Sequence, residues 1–318
     1  MQKKLLILLL AALTFASCGS DDDGAAPSGE PTSTNANRND SRANPAYARL
    51  EYPHLKGGSN NIVIIHRASF GVNYSVEWDS DLHPAGWTEG GTLRAQRWSC
   101  FRWHNKNSNK NATSRKPRDN SGQPFAEYPN DADLDALYHF TDDPYWNSGY
   151  DHGHIMASAD RGYNYNVRAN EQTFYMTNMQ PQVNGFNAGV WVNMESRLRD
   201  WNTSNFRDTL YVCKGGTIDS KDNILRTIGS GSNRIPVPKY FFMAVLCKNS
   251  DKVNGGYKAL GFWVEHKVNY DDDLSKYVVN IDELERLTGI DFFCNLPDNI
   301  ENAVESLPRE NVIRAWNP

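Results

Sequence analysis

The chain has 318 residues, 39% of them hydrophobic and 22% charged, with 9 Trp, 15 Tyr and 13 Phe, which is enough to close a full core. That excludes a wholly disordered chain, a collagen-like repeat and a disulfide-dependent miniprotein. A formal net charge of −5 argues against a generally basic binder of polyanions, and beyond about the first fifteen residues no apolar run is long enough to span a bilayer.

Lys3 and Lys4 precede an apolar stretch, 5–15, that ends at Phe15-Ala16-Ser17-Cys18, the architecture of a secretory signal. Ala16, Ser17 and Cys18 resemble a bacterial lipobox, in which cleavage leaves Cys18 as the lipidated first residue. Phe15 stands where an aliphatic residue is usual, so a plain secreted form is the alternative. Gly19, Ser20 and the acidic run 21–23 resemble the export tether of Bacteroidetes-type surface lipoproteins. Between Gly19 and Ala46 there is no aromatic residue and no aliphatic side chain larger than Ala, so nothing there offsets chain entropy by burial. The expected organisation is a signal peptide over 1–17, a lipidated Cys and flexible tether over 18–46, and one domain over 47–318. The expected location is outside the cytoplasm, as an outer-membrane or cell-surface lipoprotein or a released form, touching membrane only through the lipid. Oligomeric state is not legible.

Strands are expected over 62–66, 74–78, 174–177, 209–212, 240–246, 259–264 and 277–279. Helices are expected over 188–201 and 281–287, the second closed by Gly289. Strands and helices alternate without a βαβ rhythm, so the class expected is α+β with a mainly antiparallel central sheet flanked by helices. Cys100, Cys213, Cys247 and Cys294 allow two disulfides in three pairings, or free buried thiols. The absence of any Cys-x-x-Cys argues against a structural zinc.

Residues 91–118 hold eight Lys/Arg and no Asp or Glu, with Trp98, Phe101, Trp103 and His104 interleaved. Cations for phosphates beside aromatic faces for bases form a nucleic-acid footprint; a basic loop beside core tryptophans is the plainer reading. Without these eight cations the chain carries 25 Lys/Arg against 38 Asp/Glu, an acidic body with one basic groove.

Tyr150-Asp151-His152-Gly153-His154 offers two histidines that can share a metal, but Ile155 and Met156 stand where a dinuclear metallo-hydrolase needs Asp-His. A hydrogen-bonded turn is the structural alternative. Further on come Thr177-Asn178-Met179-Gln180-Pro181-Gln182 and Gly185-Phe186-Asn187-Ala188-Gly189-Val190-Trp191, then Glu195 and Arg199. Asn187, Trp191, Glu195 and Arg199 are four apart, a stripe on one helix. A solvated face with a Glu195–Arg199 pair would account for the charges.

Together these segments resemble the DNA/RNA non-specific endonuclease family, the group of Serratia nuclease and mitochondrial endonuclease G within the ββα-metal (His-Me finger) superfamily. The family pattern reads Asp-Arg-Gly-His, then Asn-x-x-Pro-Gln, then Asn-x-Gly-x-Trp-x-x-x-Glu-x-x-x-Arg, and the last two match residue for residue. The likeness continues in Val237-Pro238-Lys239-Tyr240-Phe241 and in 287–293. His152 replaces the family Arg, and Ala157 replaces the Pro three residues after the motif His. Asp160-Arg161-Gly162-Tyr163 repeats the start of the motif without its histidine, which leaves His154 as the motif residue.

The resemblance implies a Mg²⁺-dependent endonuclease, with Mn²⁺ or another divalent cation as a substitute, acting on both DNA and RNA. A neutral imidazole suits the removal of a proton from water, so His154 is the expected general base. The resemblance implies that Asn187 holds the metal, Glu195 reaches it through water, and Arg199 meets the transition-state phosphate. It places Asp151 and His152 at the substrate, with an upstream arginine that is either Arg115 or Arg118. Two rival classes are a catalytically weak surface lipoprotein that captures nucleic acid and one that binds polysaccharide.

Overall fold

The computed structural model describes residues 34–108, 111–250 and 256–318. The expected signal peptide, the lipidated Cys18 and the acidic run 21–23 lie outside the described residues. Eleven strands are found among the described residues: β1 (Asn61–Ala68), β2 (Gly71–Leu82), β3 (Leu93–Trp103), β4 (Asp151–His154), β5 (Met179–Gln182), β6 (Thr209–Gly216), β7 (Ile224–Ile228), β8 (Ile235–Pro238), β9 (Tyr240–Lys248), β10 (Tyr257–Glu265) and β11 (Val278–Val279). Seven form one sheet in the order β1-β2-β3-β6-β9-β10-β11, while β4–β5 and β7–β8 are separate two-stranded units. Every ladder in these sheets is antiparallel. The expected α+β class with a mainly antiparallel sheet therefore holds. The helices are α1 (Val167–Gln172), α2 (Asn184–Phe186), α3 (Val192–Trp201), α4 (Ile281–Thr288), α5 (Asp298–Glu305) and α6 (Arg309–Trp316).

Side-chain alternation gives the large sheet two apolar faces. On one, Phe101 and Trp103 of β3, Leu210 and Val212 of β6, and Phe241, Met243 and Val245 of β9 pack with Phe186, Trp191, Met194 and Leu198. On the other, Trp98 and Cys100, Cys213, and Phe242, Ala244 and Leu246 pack with Tyr52, Ile281, Leu284 and Val304. A sheet covered on both faces has near-continuous apolar central strands, which is why Phe241 to Cys247 are all buried. Helix α4 follows the sequence reading: Asn280 caps Glu283 N, and Gly289 ends the helix in the left-handed conformation with φ 72°.

Three expectations change. The segment 91–118 is a strand for its first part: β3 lies inside the sheet, with Trp98, Phe101 and Trp103 buried. Those rings belong to the core and cannot stack on bases. Arg97 is equally committed, bound to Asp79 at 3.0 Å and to Asp219 and Glu77. The expected strand over 174–177 is absent, because the backbone there turns through a single 3₁₀ turn, Met176–Asn178. Asn178 draws that turn inward. Its Nδ2 donates to Met156 O and Thr173 O, and its Oδ1 accepts from Met156 N.

The expected flexible tether also ends sooner than its composition implies. Asn35 donates to Leu296 O at 2.6 Å, and Asn39 Nδ2 donates to Pro53 O while its Oδ1 accepts from Leu55 N. Asparagine side chains tie residues 35–39 to the body, and Ala46 is buried in the core beside Tyr52. All four described cysteines are buried free thiols, with Cys100 and Cys213 opposite one another across β3 and β6.

Candidate functional site

Strand β4 carries the Asp-His-Gly-His segment and pairs with β5, which carries the Asn-x-x-Pro-Gln segment, so that His154 faces Met179 and Gly153 faces Gln180. A Cβ on Gly153 would lie 2.4 Å from Gln182 Cδ, and only glycine lets the two strands close over that side chain. The hairpin runs into α2 and α3, completing a ββα unit. The stripe expected on a single helix is interrupted. Residues Asn187–Trp191 form a wide turn in which Gly189 takes φ −109° and ψ −120°, and regular α-helix begins only at Val192. Val190 N donates to Asn269 O at 2.8 Å, and a Cβ at Gly189 would meet that same oxygen at 2.0 Å. The break turns Asn187 toward β4.

There Asp151 Oδ2 accepts from Asn187 Nδ2 and from Asn184 Nδ2, each at 3.0 Å. With its nitrogen engaged, the Asn187 amide turns its oxygen the other way, and an amide oxygen is a ligand suited to a hard cation. Asp151 thus acts on Asn187, a role that the substrate assignment did not anticipate.

His154 lies against the edge of Phe174, with ring centroids 4.9 Å apart at 86°. Trp191 Nε1 donates to its carbonyl at 3.2 Å. Nε2 is buried without a hydrogen-bond partner. Burial first, then Arg115, His152 and Lys214, hold this imidazole down to a pKa of about 3. It is neutral throughout the physiological range.

Arg115 is the upstream arginine that reaches this centre. Its Nη2 donates to Glu127 at 2.7 Å and to Tyr128 OH at 3.0 Å, and its guanidinium lies 4.6 Å from the centre of the Phe174 ring. Arg118 is exposed, and no described contact joins it to His154 or Asn187. His152 is not open to a substrate as expected. Its ring is sandwiched between Tyr128 and Tyr145, at 3.9 and 4.0 Å, its Nε2 lies 3.1 Å from Asp143, and its side chain is 16% exposed. The position of the family Arg is filled here by a stacked buttress.

Glu195 and Arg199 do not form the i, i+4 pair that their spacing suggests. Glu195 Oε1 accepts from Lys214 Nζ at 3.1 Å, and Arg199 Nη1 donates to Asp160 Oδ1 at 2.8 Å. Lys214 also lies 3.8 Å from Asp160 Oδ2. Burial pushes the Glu195 carboxyl up, with Lys214 opposing. Arg199 has its other terminal nitrogen on Ser196 Oγ at 2.9 Å and only 13% of its side chain exposed, so it faces Asp160 rather than an open phosphate position. Sequence reasoning missed Asp160 and Lys214. Asp160 was set aside with the incomplete repeat of the motif. Lys214 had a signal in its parity, since residues 210, 212 and 214 alternate onto the same face of β6.

The model of the DNA/RNA non-specific endonuclease family matches residues 89–299, and the chain belongs to that family. Among curated relatives, a nuclease of Nostoc sp. is 32% identical over 167 residues, covering 51% of this chain and 57% of the relative. Human mitochondrial endonuclease G is 28% identical over 178 residues, covering 54% of this chain and 57% of its own length. The chain thus spans somewhat more than half the length of these relatives. A solved structure of the EndoG/EndoGI complex superposes with a TM-score of 0.55 at 21% identity, covering 76% of this chain and 90% of that one, which shows a shared fold.

Lys214→Met removes one cation from a buried set of two acids and two bases and leaves a buried carboxylate unbalanced. The expected loss is about 3–5 kcal/mol of folding stability, measured by urea denaturation; a loss under about 1 kcal/mol would contradict the pairing.

Proposed function

We propose that this protein is an endonuclease that hydrolyses phosphodiester bonds in DNA and RNA. The observation that carries the reading is one neutral histidine with a buried, unpartnered Nε2 on the same hairpin as the aspartate that orients Asn187. His154 takes the proton of the attacking water at Nε2. Arg115, partly exposed beside it, meets the phosphate, where a guanidinium offers paired donors. Arg199 acts one step back, holding Asp160 and so the charge balance around Glu195. Contacts of this kind go to phosphate rather than to base edges or the 2′-hydroxyl, which supports action on both nucleic acids.

The amide oxygen of Asn187 and the carboxylate of Glu195 are hard oxygen donors and fit a divalent cation. Asn187 directly, and Glu195 through water, would hold Mg²⁺, with Mn²⁺ as a substitute. When bound, such an ion neutralises charge on the phosphoryl and leaving oxygens. Export and lipid anchoring through Cys18 belong to the same proposal and rest on the residue pattern of 3–18 alone. Among the described residues no helix is long and apolar enough to cross a membrane.

Incubation with plasmid and with RNA should show cleavage with Mg²⁺ and none with EDTA. His154→Ala should lower kcat about 10³-fold with the thermal midpoint kept, and Asn187→Ala should lose its response to Mg²⁺. Wild-type turnover in either variant would sink the assignment. A base works only when unprotonated, so activity holds above the His154 pKa and falls as pH drops through it. With that pKa at about 3, kcat/KM should stay level from about pH 8 down to about pH 5. Arg115→Gln, by removing a cation, should move the acid limb upward; a limb at the ordinary imidazole value in both proteins would refute the buried-base reading. Metabolic labelling with a radiolabelled fatty acid should mark the wild type and not Cys18→Ala, and an unlabelled wild type would overturn the anchor.

A further inference from the structure

The face of the sheet away from His154 carries an acidic cluster that the proposed reaction does not use. Asp282 and Glu285 lie three apart on α4, on one side of that helix, and Glu305 is the last residue of α5. One carboxylate oxygen from each lies within 4.8 Å of the others. The charges acting on Glu285 are those of Asp291, Asp282 and Glu301, and on Glu305 those of Glu285, Glu301, Asp282 and Asp291, all negative. The nearest cation on α4, Arg286, is committed to Glu283 at 2.5 Å.

Glu305 supplies the second observation. It is 5% exposed, its carboxylate is turned into the cluster, and its Oε1 is buried with no hydrogen-bond partner. It also sits at the C-terminal end of a helix, where the macrodipole disfavours a negative charge. Glu285 has one oxygen satisfied, by Phe292 N at 2.7 Å. At the margin, Asn37 gives its Nδ2 to Asp291 and Glu301, and its own Oδ1 is buried without a donor. The place gathers acceptors and provides few donors.

We propose that Asp282, Glu285 and Glu305 bind a divalent cation, Ca²⁺ in preference to Mg²⁺, which fastens α4 to α5 on the sheet face opposite His154. All-oxygen donors drawn from two separate helices suit the longer, less regular coordination of Ca²⁺. Mg²⁺ asks for a tight octahedron and keeps its water. This assignment uses none of the residues of the endonuclease proposal and stands or falls without it.

The test uses the full chain carrying Asn187→Ala, which silences the other candidate metal position, freed of metal by chelation. Calorimetric titration with CaCl₂ should show one Ca²⁺ per chain with a midpoint below about 1 mM, and saturation should raise Tm by about 4 °C. Adding Glu305→Gln should abolish both responses. That change removes a like charge at nearly constant shape, so the metal-free double variant should unfold no earlier than its parent; this separates loss of binding from loss of fold. Absence of any Ca²⁺ response up to about 10 mM, or binding unchanged by Glu305→Gln, overturns the proposal.

Discussion

Lys214 is buried to its tip, its ammonium near the rings of Phe101 and Trp191 at 5.7 and 5.6 Å, and a charge so placed is tolerated only beside counter-charge. The counter-charge has to arrive from elements that cover this face of the sheet. Asp160 comes from the loop after β4, Glu195 from the first turn of α3, and Arg199 from its last turn restores neutrality. Meeting that requirement fixes where α3 lies and how it is rotated. The backbone break at Gly189 then sends Asn187 away from the helix line and into reach of Asp151. The hairpin, the helix and the candidate metal position are therefore one solution to the problem posed by one buried lysine.

The residues of the site were legible because each is tied to a local pattern: a glycine between two histidines, an amide before Pro-Gln, a ladder of residues four apart. What linked them was not. Asp160 and Lys214 are 54 positions apart along the chain and meet only because β6 lies beside β3 and under α3. No local pattern encodes that meeting. Periodicity found β1, β2, β6, β9 and β10 because those strands are long and apolar, and it found α4 because a cap and a left-handed glycine mark its ends. It failed at β3, where arginines stand among tryptophans and the buried Arg97 is neutralised by Glu77 and Asp79 of β2 and by Asp219. Read alone, a strand with buried ion pairs has the composition of a basic binding loop.

The correction at β3 also relocates the electrostatics. Of the eight cations counted as one groove, Arg97 is locked inside the sheet, while Arg115 and Lys116 lie over Phe174 at 4.6 and 4.5 Å beside His154. The candidate site thus has Arg115 and Lys116 as near cations. The acids that make the chain negative overall gather in part on the other face, around Glu285 and Glu305. In the proposed reaction a polyanion would be drawn to the cations beside His154.

Those cations bear on how His154 can act. An imidazole held at about 3 is a weak base, and general-base catalysis near neutrality works best with a pKa close to the ambient pH. After burial, the cations Arg115 and Lys214, together with His152, hold it down. A phosphodiester seated against Arg115 carries the opposite charge and offsets it, so the affinity of Nε2 for a proton rises when substrate is in place. Before that, the same cations keep the imidazole unprotonated, with its lone pair available and no competing positive charge on the ring. In the proposed reaction the substrate therefore completes the base that activates the attacking water. The two tyrosines around His152 hold its imidazole stacked and within reach of Asp143, which braces the hairpin that carries His154.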